Sequence, residues 1–182
     1  MPSIQPTKVL FLDFDGVLHP NAAYLVKGRP TLKTTGELFM WAPILAESLV
    51  DMPDVQIVLS TSWARVLSFN RARRWLPLGL RERVIGATWH SGMSYKSDGF
   101  RDLNFDTWWD TASRYQQIKR YVSRASLTHW VAIDDDSEGW DDDDLDKLVH
   151  TNGDNGLSEP SSQTLLKVRL EYLNMQNHDS FH

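Results

Sequence analysis

The chain has 182 residues, enough for one domain with its own core, and its 41% hydrophobic and 24% charged residues are those of an ordinary soluble globular protein. The lack of cysteine excludes disulfides, thiol catalysis and cysteine zinc sites, and fits a reducing compartment. A net charge of −5 disfavours a broad nucleic-acid surface but leaves room for a local basic groove, and no apolar stretch approaches the ~20 residues of a membrane span.

Residues 1–7 read as a lead-in with two prolines and without the basic-then-apolar pattern of a signal peptide, so a cytoplasmic location is expected. Val9–Asp15 then reads as a strand buried on both faces, the kind found in the middle of a parallel sheet. Residues 18–41 read as loop, and the apolar positions Ile44, Leu45, Leu49 and Val50 predict a helix over Pro43–Met52. Val55–Leu59 is a second strand, ending in Ser60-Thr61-Ser62-Trp63. Ala64–Trp75 is a basic helix carrying Arg65, Arg71, Arg73 and Arg74, and Arg83–Trp89 a third strand. Residues 90–107 read as loop, and one helix runs from Trp108 to about Arg124 on the stripe Trp108, Tyr115, Ile118, Tyr121 and Val122. Trp130–Ile133 is the fourth strand and leads into Asp134-Asp135-Asp136. Lys147–Thr151 is a short edge strand, Ser162–Leu173 a closing amphipathic helix (Leu165, Leu166, Val168, Leu170, Leu173), and residues 175–182 a polar tail. Strands alternating with helices predict a parallel α/β sheet in a single domain spanning residues 1–182.

In such sheets ligands bind beyond the carboxyl ends of the strands. The polar clusters fall there: Asp13 and Asp15, Thr61 and Ser62, Asp134 and Asp135. Asp13-Phe14-Asp15-Gly16 alone also suits an ordinary Asp-Gly turn, so the other two strand ends carry the argument. Buried carboxylates need neutralising, and Mg²⁺ takes oxygen ligands, often carboxylates plus a substrate phosphate. A carboxylate facing a bound phosphate can act as nucleophile and form an acyl-phosphate. Gly16 would bend the chain and bring Asp15 over the leaving group as general acid, later as base for the attacking water. A hydroxyl and a backbone N–H from Thr61 or Ser62 would bind the transferring phosphoryl group, with a cation against its charge.

Val9-Leu10-Phe11-Leu12-Asp13-Phe14-Asp15-Gly16-Val17-Leu18 resembles the first motif, hhhhDxDGxL, of the haloacid dehalogenase (HAD) superfamily of phosphohydrolases. Ile57–Ser62 is similar to its second motif, and Val131-Ala132-Ile133-Asp134-Asp135 to its fourth. Val149-His150-Thr151 and Gly156-Leu157-Ser158 look like the small HAD domains of multi-domain RNA repair proteins. The resemblance implies a three-layer Rossmann-like core, with a mainly parallel five-stranded sheet between helices. It implies a Mg²⁺-dependent phosphatase in which Asp13 is nucleophile and metal ligand, and Asp15 is acid/base with its backbone carbonyl on the metal. Thr61 would bind phosphate, with Ser60 or Ser62 as alternatives one residue either side, and Asp134 and Asp135 would complete the metal site. The superfamily's third-motif lysine is missing from its usual place, four residues before Ile118. Arg114 stands there, with Lys119 and Lys96 as alternatives.

Other features have plainer readings. The acid-rich run Asp136–Asp144 lacks EF-hand spacing and reads as a solvated loop and helix start, from which Asp136 alone would approach the site. The six histidines (19, 90, 129, 150, 178, 182) show no metal-ligand spacing; His19 follows the first motif and reads either as substrate-facing or as an ordinary loop residue. The arginines at 65, 71, 73 and 74 either guide an anionic polymer or snorkel over a helix face, and Trp63 either stacks on a base or packs under its loop. The gap from Gly16 to Val55 is mostly loop plus one helix that the core requires, and that from His90 to Trp108 is too short for a folded domain, so the cap should be minimal or absent. An open site suits a bulky phosphorylated substrate, such as a nucleic-acid end or a protein; a lid loop from 18–41 or 90–107, or a partner subunit, is the alternative that would enclose a small one. A non-catalytic interaction module is the reading from another class; the retained carboxylates argue against it, as they do against dehalogenation.

Overall fold

A computed structural model of the protein describes residues 7–89, 91–96 and 100–175; the rest of the lead-in, His90, Gly99 and the tail beyond 175, with His178 and His182, lie outside the described residues. Strand β1 (Lys8–Leu12) is followed by β2 (Ala23–Val26), β3 (Arg29–Leu32), helix α1 (Ala42–Ser48) and β4 (Val55–Leu59). Three short helices, α2 (Trp63–Leu67), α3 (Phe69–Arg74) and α4 (Leu78–Arg81), lead to β5 (Val84–Ala87). Helices α5 (Leu103–Thr111) and α6 (Arg114–Arg124), strands β6 (His129–Asp134) and β7 (Leu148–His150), and helix α7 (Pro160–Met175) complete the chain.

Five strands form one sheet in the order β5-β4-β1-β6-β7, and every pairing in it is parallel. Alternation along each strand builds two cores. Leu10, Leu12, Ile57, Leu59, Val131 and Ile133 face one side, against Leu45 of α1, Leu67 of α2, and Leu166 and Leu170 of α7. Val9, Phe11, Val58, Trp130 and Ala132 face the other, against Tyr115 and Ile118 of α6. Helices therefore cover both faces, giving the three-layer α/β architecture. Fully buried side chains such as Phe11, Leu10 and Ile118 each contribute about 1.5–3 kcal/mol through burial. Lys8 is buried as well, and its ammonium is satisfied by Asp54 at 2.6 Å and Asn174 at 2.7 Å.

Several elements differ from their sequence pattern. The first strand stops at Leu12 rather than Asp15, because Gly16 turns the chain in the left-handed region (φ 71°). The 18–41 stretch is not all loop: β2 and β3 pair as an antiparallel hairpin around Lys27-Gly28, both at positive φ. The basic helix expected over 64–75 is two helices, broken at Ser68 (φ 83°). The helix expected over 108–124 is also two, because Ala112 is extended and Ser113 starts α6 afresh. Helix α5 begins at Leu103, capped by Asp102, whose carboxylate accepts from the amides of Asn104 and Phe105. Val50 and Val168, assigned to apolar faces by periodicity, are exposed. Asp144 is buried rather than solvated; its carboxylate receives Tyr115 Oη at 2.6 Å, Lys119 Nζ at 2.8 Å and Lys147 Nζ at 2.7 Å.

Candidate active site

The parallel register brings the strand ends together. Leu12 is opposite Leu59 on one side and Ile133 on the other, so Asp13, Ser60 and Asp134 come next in one row. The row is held by backbone bonds: Asp13 N–H donates to Ile133 at 3.2 Å, and Ser60 N–H to Leu12 at 2.8 Å. By alternation, Asp13 and Asp134 lie on the α6 side of the sheet, with Phe11 and Ala132.

Helix α6 meets them with Arg114 in its first turn. The break before it is a capping box, in which Ser113 Oγ accepts from Gln116 N–H and Ser113 N–H donates to the Gln116 side chain. A cation at a helix N-terminus is unfavourable unless acids face it. Arg114 Nε lies 3.3 Å from Asp134 Oδ2, and Nη2 3.8 Å from Asp13 Oδ1. The other candidate cations are elsewhere: Lys119 is paired with Asp144 and lies beside Tyr115 and Trp130, and Lys96 is exposed.

Asp135 completes an acidic cluster. One carboxylate oxygen from each of Asp13, Asp134 and Asp135 lies within 4.8 Å of the other two. Asp135 is held by Asn21 Nδ2 at 2.9 Å, and a Cβ at Gly16 would collide with its carboxylate, so glycine there serves both the turn and this approach. Thr151 Oγ1 donates to the Gly16 carbonyl at 2.7 Å and pins the same turn. The Asp136 N–H donates to Asp134 Oδ1 at 3.0 Å, while the buried Asp134 Oδ2 faces Arg114 Nε at 3.3 Å and has no well-formed hydrogen bond among the described residues.

The electrostatics follow from this crowding. Burial pushes Asp13 up from 3.8 to about 7; Arg114 opposes the shift and Asp15 reinforces it. Burial, then the neighbouring Asp13, raises Asp134 as well, and burial raises Asp135 against the hydrogen bond from Asn21. For Arg114, burial works downward, but the carboxylates, led by Asp13, carry it above its ordinary value. Three carboxylates share one arginine, whose Nε lies 3.3 Å from the buried Asp134 Oδ2. This donor set fits a hard divalent cation with oxygen ligands.

Asp15 stands outside that cluster, with its carboxylate held at both oxygens. His19 Nε2 donates to Oδ1 at 3.0 Å and Trp63 Nε1 to Oδ2 at 2.8 Å. The His19 tautomer is set from behind: Nδ1 accepts from the Phe39 amide at 3.3 Å, so the proton sits on Nε2. His19 and Trp63 are buried, and Trp63 packs edge-on against Phe14, Phe39 and Trp75. Trp63 thus packs beneath its loop, and His19 is neither substrate-facing nor idle. Of the second-strand hydroxyls, Ser62 lines the open site with Asp13, Asp15 and Arg114. Thr61 is buried and accepts from the Trp63 amide at 3.4 Å; Ser60 Oγ is buried without a hydrogen-bond partner among the described residues. Several basic side chains of 65–83 are engaged within the fold: Arg65 pairs with Asp110, Arg73 bonds the Arg81 carbonyl, and Arg83 those of Leu49, Met52 and Val55.

Sequence reasoning missed the pair of donors on Asp15, and with them Asn21 and Thr151. The only signal was position, since His19 and Trp63 each directly follow a recognised motif.

A parallel sheet with acids at the ends of its central strands, met by a cation on the facing helix, defines a HAD-type α/β domain. The family described as the HAD domain in Swiss Army Knife RNA repair proteins matches residues 9–162, and the chain belongs to it. That membership points to a phosphatase-type hydrolase. No curated protein and no solved structure gives a significant match.

Proposed function

We propose that the protein is a Mg²⁺-dependent phosphomonoester hydrolase that works through an aspartyl-phosphate on Asp13. The observation that carries this is the division of labour among the acids: Asp13, Asp134 and Asp135 form one cluster, and Asp15 stands apart, oriented by two donors. Asp13, Asp134 and Asp135, with the Asp15 carbonyl, would hold Mg²⁺, which when bound neutralises the carboxylates and the non-bridging oxygens of the phosphate. Arg114 adds fixed positive charge beside Asp13, and Ser62 offers its hydroxyl to the phosphoryl group; Thr61 shapes the turn that presents it.

In the first step an Asp13 carboxylate oxygen bonds to phosphorus and the phosphorus–ester oxygen bond breaks. Protonated Asp15 gives its proton to the departing oxygen, so the product leaves as an alcohol and Asp15 becomes a carboxylate. The N–H groups of Trp63 and His19 receive that new charge. In the second step Asp15 takes a proton from water, the water oxygen bonds to phosphorus, and the bond to Asp13 breaks to release inorganic phosphate. His19 and Trp63 are positioning residues; they act through Asp15.

Asp13→Asn removes the nucleophile without changing its size. Hydrolysis of p-nitrophenyl phosphate with Mg²⁺ should fall to background, about 10³-fold or more, while circular dichroism stays unchanged. Turnover surviving in the purified variant overturns the proposal. A phosphorylated nucleic-acid end is the substrate class favoured by the family's RNA repair description.

A further inference from the structure

We propose that the cleft between the β2–β3 hairpin and helix α2 binds the terminal nucleoside of a phosphorylated nucleic-acid end, with Tyr24 stacked on its base. This rests on the phosphatase reading and gives its leaving group a place. A phosphoryl group over Asp13 must turn its ester oxygen toward Asp15, so the rest of the substrate continues on the Asp15 side. There, Asp15 and Ser62 border both the acidic site and a second cleft of about 230 Å³.

The chemistry of that cleft changes along its length. Its neck is polar, with the Asp15 carboxylate and the exposed Ser62 hydroxyl. Beyond lie Tyr24, Leu25 and Pro30 of the hairpin, and Val66 and Leu67 of α2. Polar first and apolar beyond is the order of a sugar followed by a base. An aryl ester would place its ring against the carboxylate at once, and a sugar phosphate would leave the apolar walls in water. The size suits one ring system, since a cavity near 150 Å³ holds benzene. Core packing accounts for Leu67 but not for Tyr24 and Val66, which are 59% and 60% exposed on facing elements, and the Tyr24 ring has no aromatic partner among the described residues.

Charge supports the same occupant. In a chain of net charge −5, residues 20–36 contain Lys27, Arg29 and Lys33 and no acid. None of the three forms an ion pair among the described residues. A basic hairpin with an apolar wall suits a base and the backbone phosphate that follows it; stacking platforms beside positive charge are how single strands are held.

The test compares 3′- and 5′-phosphorylated dinucleotides with the same molecules carrying an abasic terminal residue, and with a phosphotyrosine peptide. Two readouts are used: kcat/KM with the wild-type protein, and Kd by calorimetry with Asp13→Asn, which binds without turning over. At least one of the two phosphorylated ends should exceed its abasic counterpart about tenfold in both readouts. Tyr24→Ala should bring that ratio close to one, and Tyr24→Phe should keep it. A ratio near one in the wild type, a ratio untouched by Tyr24→Ala, or a preference for phosphotyrosine overturns the inference. Base-dependent binding without any turnover would instead sink the phosphatase reading and leave the nucleoside site standing.

Discussion

At the scale of single residues, the Asp15 clamp invites the sharpest test. Trp63→Phe keeps an aromatic ring among Phe14, Phe39 and Trp75 and removes the N–H that reaches Asp15 Oδ2, together with the volume of the second indole ring. Losing one hydrogen bond to a charged group costs about 1.5–3 kcal/mol, or roughly 10- to 100-fold in rate. The loss should appear in kcat with KM little changed. It should also be larger for an alkyl phosphate, whose leaving oxygen needs the proton, than for p-nitrophenyl phosphate. His19→Gln, which can still present an N–H, should retain more activity than His19→Ala. Equal losses on both substrates would reduce Trp63 to a packing residue. Asp13, Asp134 and Arg114 were legible in the sequence because charged or polar side chains directly follow apolar strands or sit at a fixed offset on a helix. The donors on Asp15 were not legible. A histidine and a tryptophan have ordinary uses in a core, and nothing local shows that the turn after Asp15 aims both at one carboxylate.

At the scale of elements, the sequence pattern located every strand of the main sheet, but it joined helices that are separate. An apolar stripe continues across Ala112-Ser113, so periodicity alone reads one helix where there are two. The capping-box residues Ser113 and Gln116 were the available sign of the break. The break matters because it places Arg114 in a first turn facing Asp13 and Asp134. Ser113→Ala should cost about 1 kcal/mol in urea unfolding and also weaken inhibition by inorganic phosphate, as Arg114 loses its anchor. A stability loss with unchanged phosphate inhibition would show that Arg114 is held by the carboxylates alone. The hairpin was read as loop for a different reason. Both of its faces are largely open, so it lacks the alternation that marks a half-buried strand, and Pro30 argues against a strand.

For the whole molecule, the acidic cluster at the centre of the sheet couples stability to pH and, with the proposed Mg²⁺ bound, would couple it to metal. Asp13 is raised from 3.8 to about 7, and Asp134 is raised beside it. Folding therefore takes up protons between those values, and the metal-free protein should lose stability as pH rises from about 4 through 7. Asp13→Asn removes part of this cost and should raise the melting temperature of the metal-free protein at pH 7.5. Asp144 has the opposite sign. Burial alone would raise its pKa, but hydrogen bonds from Lys119, Lys147 and Tyr115 hold it well below the usual carboxylate range. Its stabilisation is present above about pH 4 and fades as acid approaches the lowered value. The proposed Mg²⁺ would bind the carboxylates deprotonated, so its effect should grow as pH rises. At about 100 times its Kd, Mg²⁺ adds about 2.7 kcal/mol, a shift of roughly 5–10 °C for a chain of this size. The shift should be largest near pH 8, small near pH 5, and lost in Asp134→Asn. A shift independent of pH, or one that survives Asp134→Asn, would place the cation somewhere other than the ends of β1 and β6.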